Sequence, residues 1–512
     1  MQHQLKLTKY SHYFKCTDST EAAKSAIYSF VKHYLIKEDI QRDGRGIPIG
    51  KTHTVFSAAT ADRSEFRIHI NLLDKFIAHM RLAGIKVEEI YILDVPPPEA
   101  DLIDIELQEK WNLRDDQVPI VNYLTDSSGV VARFVGIQPG GGKTLCSTAA
   151  VISFSKRFIV MVKPMYIDKW VADIVKISNL KEEEILVVKG GPQLKKFLHL
   201  CEEPNGLDHI KAVVIANATL RVWLTLYEKH GEDSLILGYA FTPDRLFEKA
   251  RAGIRLIDEL HQDFHLNYKF DLYTNVQRSI SLSGSLVSDE AFMDKVYRTV
   301  HPLETRYNGG ALDKYTASFG VTYNIEARHR IRTSEFNQSS YSHNAFEKSI
   351  LRSPELFLSY AEMIKVYVDL GYIKSYEKGR KAVIFASTKD MCTRLTYFFQ
   401  KTYPHLDIRR YVDEDPYANL NEPDIRITTV LSAGTAHDIP NLTAAFLTIA
   451  QQSVKANIQV FGRLRKIVGY TPRFFFFSCL DVPKHMKYHK DKIDIMRERA
   501  VSFASYPYSK TL

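Results

Sequence analysis

Apolar runs the length of a strand alternate with helical stretches between residues 110 and 300. The runs fall at 130–135, 158–163, 185–188, 212–216, 254–257 and 279–282. Strands alternating with helices build a parallel sheet covered on both faces, because each return to a parallel neighbour needs a crossover. A second series follows at 382–386, 407–411, 426–431, 444–449 and 473–477. The stretch 300–350 is less regular and reads as a link between the two sheets. No internal repeat is evident in the residues themselves. A chain of 512 residues exceeds one ordinary core, so the expected class is α/β with two parallel-sheet domains in tandem. A smaller α/β block precedes them. In it Leu72, Phe76, Ile77 and Met80 form a helical stripe, Gly84 is placed to end that helix, and residues 85–93 read as a strand. Pro96, Pro97 and Pro98 then mark a linker, since proline continues neither element. The expected limits are 1–105 for the accessory block, 106–305 for the first sheet domain and 306–512 for the second.

The end of the run at 130–135 carries the strongest chemical signal. Residues 137–144 read Ile137-Gln138-Pro139-Gly140-Gly141-Gly142-Lys143-Thr144. A strand, a glycine-rich turn and a helix opening at a lysine make a cradle for a polyphosphate. Glycines let backbone N–H groups converge on phosphate oxygens, and the helix N-terminus adds partial positive charge. Lys143 is placed for the outer phosphates and Thr144 for Mg²⁺. The strict form of this loop has glycine where Ile137 stands, so the loop alone admits a structural turn. A second signal is the run Ile254-Arg255-Leu256-Ile257, which delivers Asp258 and Glu259, with His261 two residues on. Paired acids at the carboxyl end of a buried strand suit Mg²⁺ retention by Asp258 and orientation or deprotonation of an attacking water by Glu259. An acidic pair in isolation is usually a solvated turn. This one lies downstream of a phosphate loop and is followed by a histidine.

Composition excludes several classes. Hydrophobic residues are 45% and charged residues 25% of the chain, ordinary for a globular protein. The net charge of +8 is mildly basic, compatible with nucleic acid but no proof of it. Cys16, Cys146, Cys201, Cys392 and Cys479 are scattered without a CxxC pair, which argues against a zinc site or a disulfide framework and for a reducing, cytoplasmic setting. No signal-peptide core and no membrane-length apolar stretch is present.

Further segments follow in a telling order. Leu113-Arg114-Asp115-Asp116-Gln117 precedes the loop, and a glutamine amide can read an adenine edge through paired hydrogen bonds. Lys163-Pro164-Met165, with Trp170 after it, follows the run at 158–163. Ser281-Leu282-Ser283-Gly284-Ser285-Leu286 ends another strand. In the second half come Ser432 to Asp438, with His437 before Asp438-Ile439-Pro440, and Gln459-Val460-Phe461-Gly462-Arg463-Leu464-Arg465-Lys466. Guanidinium groups brought to a γ-phosphate stabilise charge in phosphoryl transfer.

Taken together, these residues resemble the superfamily-2 helicases of the DExH branch over roughly residues 110–480, and within them the phage recombination and branch-migration helicases of the UvsW type. The resemblance implies two RecA-like domains behind an accessory domain that either binds DNA or braces the motor, and ATP-driven unwinding, annealing or branch migration of forked or recombination DNA. It implies ATP contacts from Arg114, Gln117, Gln138, Gly140, Gly141, Gly142, Lys143, Thr144, Leu145, Asp438 and Gln459, and Mg²⁺ contacts from Thr144 and Asp258. Catalysis would fall to Lys143, Asp258, Glu259, Arg463 and Arg465, with Lys466 an alternative second finger. His261, Ser283 and Ser285 would couple ATP state to the polynucleotide. The alternatives are a duplex-stimulated translocase that separates no strands, an RNA helicase, and a non-catalytic scaffold. The expected partner is DNA, with RNA left open, no membrane, and a monomer in the absence of DNA.

A translocating motor grips the backbone, because phosphates recur along any sequence. The candidate contacts are Lys163, Pro164, Asn217, Thr219, Ser387, Thr388, Gly434 and Thr435, for each of which ordinary helix capping is the competing reading. Arg328, His329, Arg330 and Arg332 form a basic cluster. From about residue 483 the pattern predicts a basic helix with Lys484, Lys487, Lys490, Lys492, Arg497 and Arg499 on a solvated face, with nucleic-acid contact as the alternative reading.

Overall fold

A computed structural model describes residues 3–42, 48–137, 141–284, 286, 290–307, 314–326, 328–334, 341–412, 415–416, 418–430, 432, 439–451 and 454–512, with the backbone only at 42, 454–456 and 459. The chain forms two compact units, one drawn mainly from residues before 310 and one mainly from those after.

The first unit opens with the accessory block. Its strands are β1 (Leu5–Lys9), β2 (Tyr13–Thr17), β5 (Ala58–Ala59), β6 (Phe66–His69) and β7 (Ile90–Asp94), in the sheet order β5-β6-β2-β1-β7. Between β2 and β5 in the chain, β3 (Ile36–Arg42) and β4 (Pro48–Val55) pair as a ribbon. The predicted helix is present as Leu73–Leu82, and Gly84 beyond it has a φ of 91°. The predicted strand at 85–93 is shorter. Glu89 folds its carboxylate back to accept from Lys86 N at 2.9 Å, which holds Val87–Glu89 in a 3₁₀ turn and delays the strand to Ile90.

The first large sheet consists of β8 (Ala132–Gly136), β9 (Phe158–Val162), β10 (Ile185–Val188), β11 (Ala212–Ala216), β12 (Ile254–Ile257), β13 (Arg278–Ser283) and β14 (Arg306–Tyr307). All its pairings are parallel, in the order β10-β11-β9-β12-β13-β8-β14. Every residue of β9 and β11 is buried, as expected of central strands covered by helices on both faces. The second unit holds β15 (Ala317–Tyr323), β16 (Lys381–Ala386), β17 (Ile408–Tyr411), β18 (Ile425–Thr429), β19 (Leu442–Leu447), β20 (Arg473–Cys479) and β21 (Ser502–Pro507). These are also parallel, in the order β17-β18-β16-β19-β20-β15-β21. Counted within each sheet, both orders read 3-4-2-5-6-1-7. The two sheets are therefore one topology used twice, the tandem arrangement of RecA-like domains that the resemblance implied.

Residues 300–350 are more than the expected link. They supply the last strand of the first sheet, β14, and the first strand of the second, β15. The basic helix is present as Pro483–Arg499, but Lys492 does not lie on a solvated face. It is 1% exposed, its ammonium donates to the Ile449 carbonyl at 2.7 Å, and burial depresses its pKa to about 7. His485, Tyr488 and His489 share that inward face, so the helix packs through residues that a hydrophobicity pattern counts as polar.

The accessory sheet and the first large sheet share one hydrophobic cluster, in which Leu5, Phe14, Phe30 and Phe76 join Trp223, Phe264 and Tyr297. Tyr268 Oη donates to the Phe56 carbonyl at 2.8 Å across this junction. Beneath it, Arg255 of β12 is fully buried and paired with Asp271, and His69 of β6 lies 3.9 Å from the same carboxylate. Removing one partner strands a buried charge, so Asp271→Ala is expected to cost about 3–5 kcal/mol. Thermal melting of the variant beside the native chain checks this.

Candidate active site

Strand register explains why distant residues meet. Ser283 of β13 pairs with Gly136 of β8, and Ser281 pairs with Ile257 of β12. The residues just beyond β8, β12 and β13 thus emerge side by side at the carboxyl ends, where ligands of parallel sheets bind.

Gly142 caps the helix Lys143–Phe154 in the left-handed region, with φ 85°. A Cβ there would come within 2.2 Å of Gln117 Nε2. Only glycine satisfies both conditions, so the loop and Gln117 are built against each other. Gln117 is 1% exposed. Its side-chain carbonyl accepts from Arg114 N at 3.1 Å and its amide donates to the Gly141 carbonyl at 3.4 Å. Arg114 itself pairs with Asp116 at 2.9 Å. Thr144 and Leu145 are half-buried in the first turn of the helix. Gln138 and Gly140 lie outside the described residues, as does Ser285.

Lys143 Nζ donates to Glu259 Oε1 at 3.1 Å. Asp258 accepts on both oxygens, from Trp170 Nε1 at 2.8 Å and from Glu259 N at 2.9 Å. Burial first, then repulsion from Glu259, raises the Asp258 pKa, while Lys143 and the Trp170 bond act the other way. Glu259 adopts φ 47°, a left-handed conformation costly for a side chain with a Cβ and found where a site over-determines the backbone. His261 is hydrogen-bonded to Ser283 Oγ, and its Nδ1 lies 3.2 Å from Glu259 Oε2. The carboxylate is thereby tied to β13. Trp170, noted in the sequence without a role, orients Asp258 from the buried face of the helix Ile167–Ile177. An indole N–H aimed at a carboxylate from a neighbouring helix leaves no local sequence signal.

This donor set fits a magnesium–triphosphate. It joins a lysine at a helix N-terminus, a left-handed glycine just before it, a hydroxyl at Thr144 and a buried carboxylate at Asp258.

Several of the other predicted contacts have partners within the protein. Lys163 precedes a 3₁₀ turn that starts at Pro164. Asn217 donates to Asp263 at 3.1 Å, and Thr219 Oγ1 accepts from Gly190 N at 2.7 Å. Both are buried, so they pin loops of the first unit. In the second unit, Glu347 is fully buried and accepts from Ser387 N at 2.7 Å, Thr388 N at 2.8 Å and Thr388 Oγ1 at 2.8 Å. Burial raises Glu347 to about 7 despite these bonds. Thr388 also caps the helix Lys389–Thr402. Arg463 is buried just after the helix Val454–Phe461, and Arg465 donates to the Gly462 carbonyl. Gly434, Thr435, Asp438 and the side chain of Gln459 lie outside the described residues.

No protein-family model matches the chain, and no curated protein matches it. Solved structures do. The crystal structure of T4 UvsW is 12% identical, with 99% of this chain and 100% of that one covered and a TM-score of 0.34. A point variant of S. cerevisiae Dbp5, bound to Nup159, a Gle1 variant, IP6 and ADP, is 12% identical over 78% of this chain and 92% of that one, with a TM-score of 0.43. S. cerevisiae Dbp5 bound to RNA and ADP BeF3 is 10% identical over 77% and 89%, with a TM-score of 0.47. At these identities the likeness is one of fold alone.

Proposed function

We propose that the chain is a nucleic-acid-dependent ATPase of the helicase type that unwinds, anneals or branch-migrates forked or recombination DNA. The observation that carries this reading is the meeting of Lys143 with Glu259 beside the buried Asp258, beyond the carboxyl ends of β8 and β12, the two strands that flank β13. Lys143 would hold the outer phosphates, and Thr144 with Asp258 would hold Mg²⁺. When bound, the ion supplies charge neutralisation for the phosphoryl oxygens. Glu259 would orient the attacking water and take its proton on a carboxylate oxygen. His261 and Ser283 would restrain Glu259 and link its position to β13. Arg463, with Arg465 or Lys466, would supply the positive charge of the second domain. We take the working form as a monomer in the absence of DNA, in the cytoplasm. Among the described residues no helix is long and apolar enough to cross a membrane.

ATP turnover measured side by side without polynucleotide, then with single-stranded DNA, duplex, forked DNA, a Holliday junction and RNA tests the reading. Stimulation greatest on branched DNA, with strands displaced or exchanged, supports it. Turnover that no polynucleotide changes contradicts it, and stimulation by RNA alone moves the substrate class to RNA.

A further inference from the structure

The accessory block meets the first sheet domain where the turn Ile70–Leu72 packs on the helix Ala291–Val300. Asn71 fixes this seam by donating its amide to the Thr299 and Val300 carbonyls, at 3.0 and 3.1 Å. Two ammonium groups converge here on one aromatic ring. Lys75 Nζ lies 3.7 Å and Lys295 Nζ 5.5 Å from the centre of the Tyr34 ring. They are therefore closer together than one screening length at ordinary salt, about 10 Å. The acids nearby are committed elsewhere, Glu290 to Lys37 at 2.9 Å and Asp294 to Arg298 at 2.8 Å. Among the described residues, neither Lys75 nor Lys295 has a carboxylate in ion-pair range. Partial burial and then the Lys295 charge lower the Lys75 pKa. His33 and His79 stand edge-on to the same ring, at 4.3 and 6.1 Å.

Like charges gathered without a counter-charge repel each other, and an arriving anion relieves that repulsion. The ring they lie over holds the two ammonium groups in place. Paired cations fixed in this way suit a sugar-phosphate backbone, whose charges recur along the strand.

We infer that the seam formed by Lys75, Tyr34 and Lys295 is a second polynucleotide contact, gripping the backbone of DNA. This inference rests on the reading of the chain as a nucleic-acid-dependent ATPase, and it gives the accessory block a share in substrate binding.

The test is the double variant Lys75→Gln/Lys295→Gln, assayed by fluorescence anisotropy with labelled duplex and single-stranded DNA over a salt series. Duplex Kd is expected to rise roughly tenfold at low salt. The slope of log Kd against log salt should shrink by about 2, near 0.9 for each phosphate no longer neutralised. The Lys75→Arg/Lys295→Arg variant should restore both, and binding of a fluorescent ATP analogue should not change. Lys295→Glu, at an exposed position, should weaken DNA binding further and serves as a second variant if the double variant melts early. Native Kd and native slope in the double variant and in Lys295→Glu would overturn the inference and leave the ATPase reading standing. A native chain that binds no polynucleotide would overturn both.

Discussion

Glu259→Gln is expected to keep ATP bound and to lower turnover by about 10²–10⁴-fold, the range a positioned general base contributes. The amide has the size of the carboxylate but takes up no proton. It also removes the anion that holds Lys143 at 3.1 Å, which frees the ammonium for phosphate. Affinity for ATP should therefore equal or exceed that of the native chain. Asp258 should respond as well. Its pKa is raised first by burial and then by the Glu259 charge, so neutralising Glu259 moves it down. Single-turnover phosphate release, paired with equilibrium binding of a fluorescent ATP analogue, separates the two effects. Hydrolysis at the parental rate would remove Glu259 from its assigned role.

Arg463→Ala is expected to reduce nucleic-acid-stimulated turnover by about 10³-fold or more, the scale of an arginine that stabilises phosphoryl transfer. Nucleotide affinity should change far less, because the charge matters most where negative charge builds up. Lysine should rescue poorly, since it lacks the fixed fork of donors. Arg463 is buried, so melting temperature must be followed alongside kcat to distinguish lost chemistry from lost packing. A kcat within a few-fold of native in a well-folded variant would shift the role to Arg465 or Lys466.

The strands that could be read directly from the sequence are those whose burial makes a continuous apolar run, such as Phe158–Val162 and Ala212–Ala216. β15 escaped because Ala317-Ser318-Phe319-Gly320-Val321-Thr322-Tyr323 mixes small and polar residues with large ones, although Ser318 and Val321 are fully buried. β21 escaped because it is an exposed edge strand after a helix, and β14 because it is two residues long. The shared strand order of the two sheets lies in connectivity, so no repeat of residues announces it. At the site, Lys143, Asp258 and Glu259 were legible because each sits in a local motif. The tryptophan bond to Asp258, the left-handed backbone at Glu259 and the tie from His261 to Ser283 depend on strand register and helix placement. Asn217, Thr219, Ser387 and Thr388 looked available in sequence because their partners, Asp263, Gly190 and Glu347, lie far along the chain.

Calorimetric titration of magnesium and a slowly hydrolysed ATP analogue into the native chain and into Lys143→Ala tests the central claim most directly. The account predicts one nucleotide bound per native chain, dependent on the metal, and affinity weakened by roughly 100-fold or more in the variant, as expected when a charge-assisted bond to phosphate is removed. No binding to the native chain, or native affinity in Lys143→Ala, would contradict it.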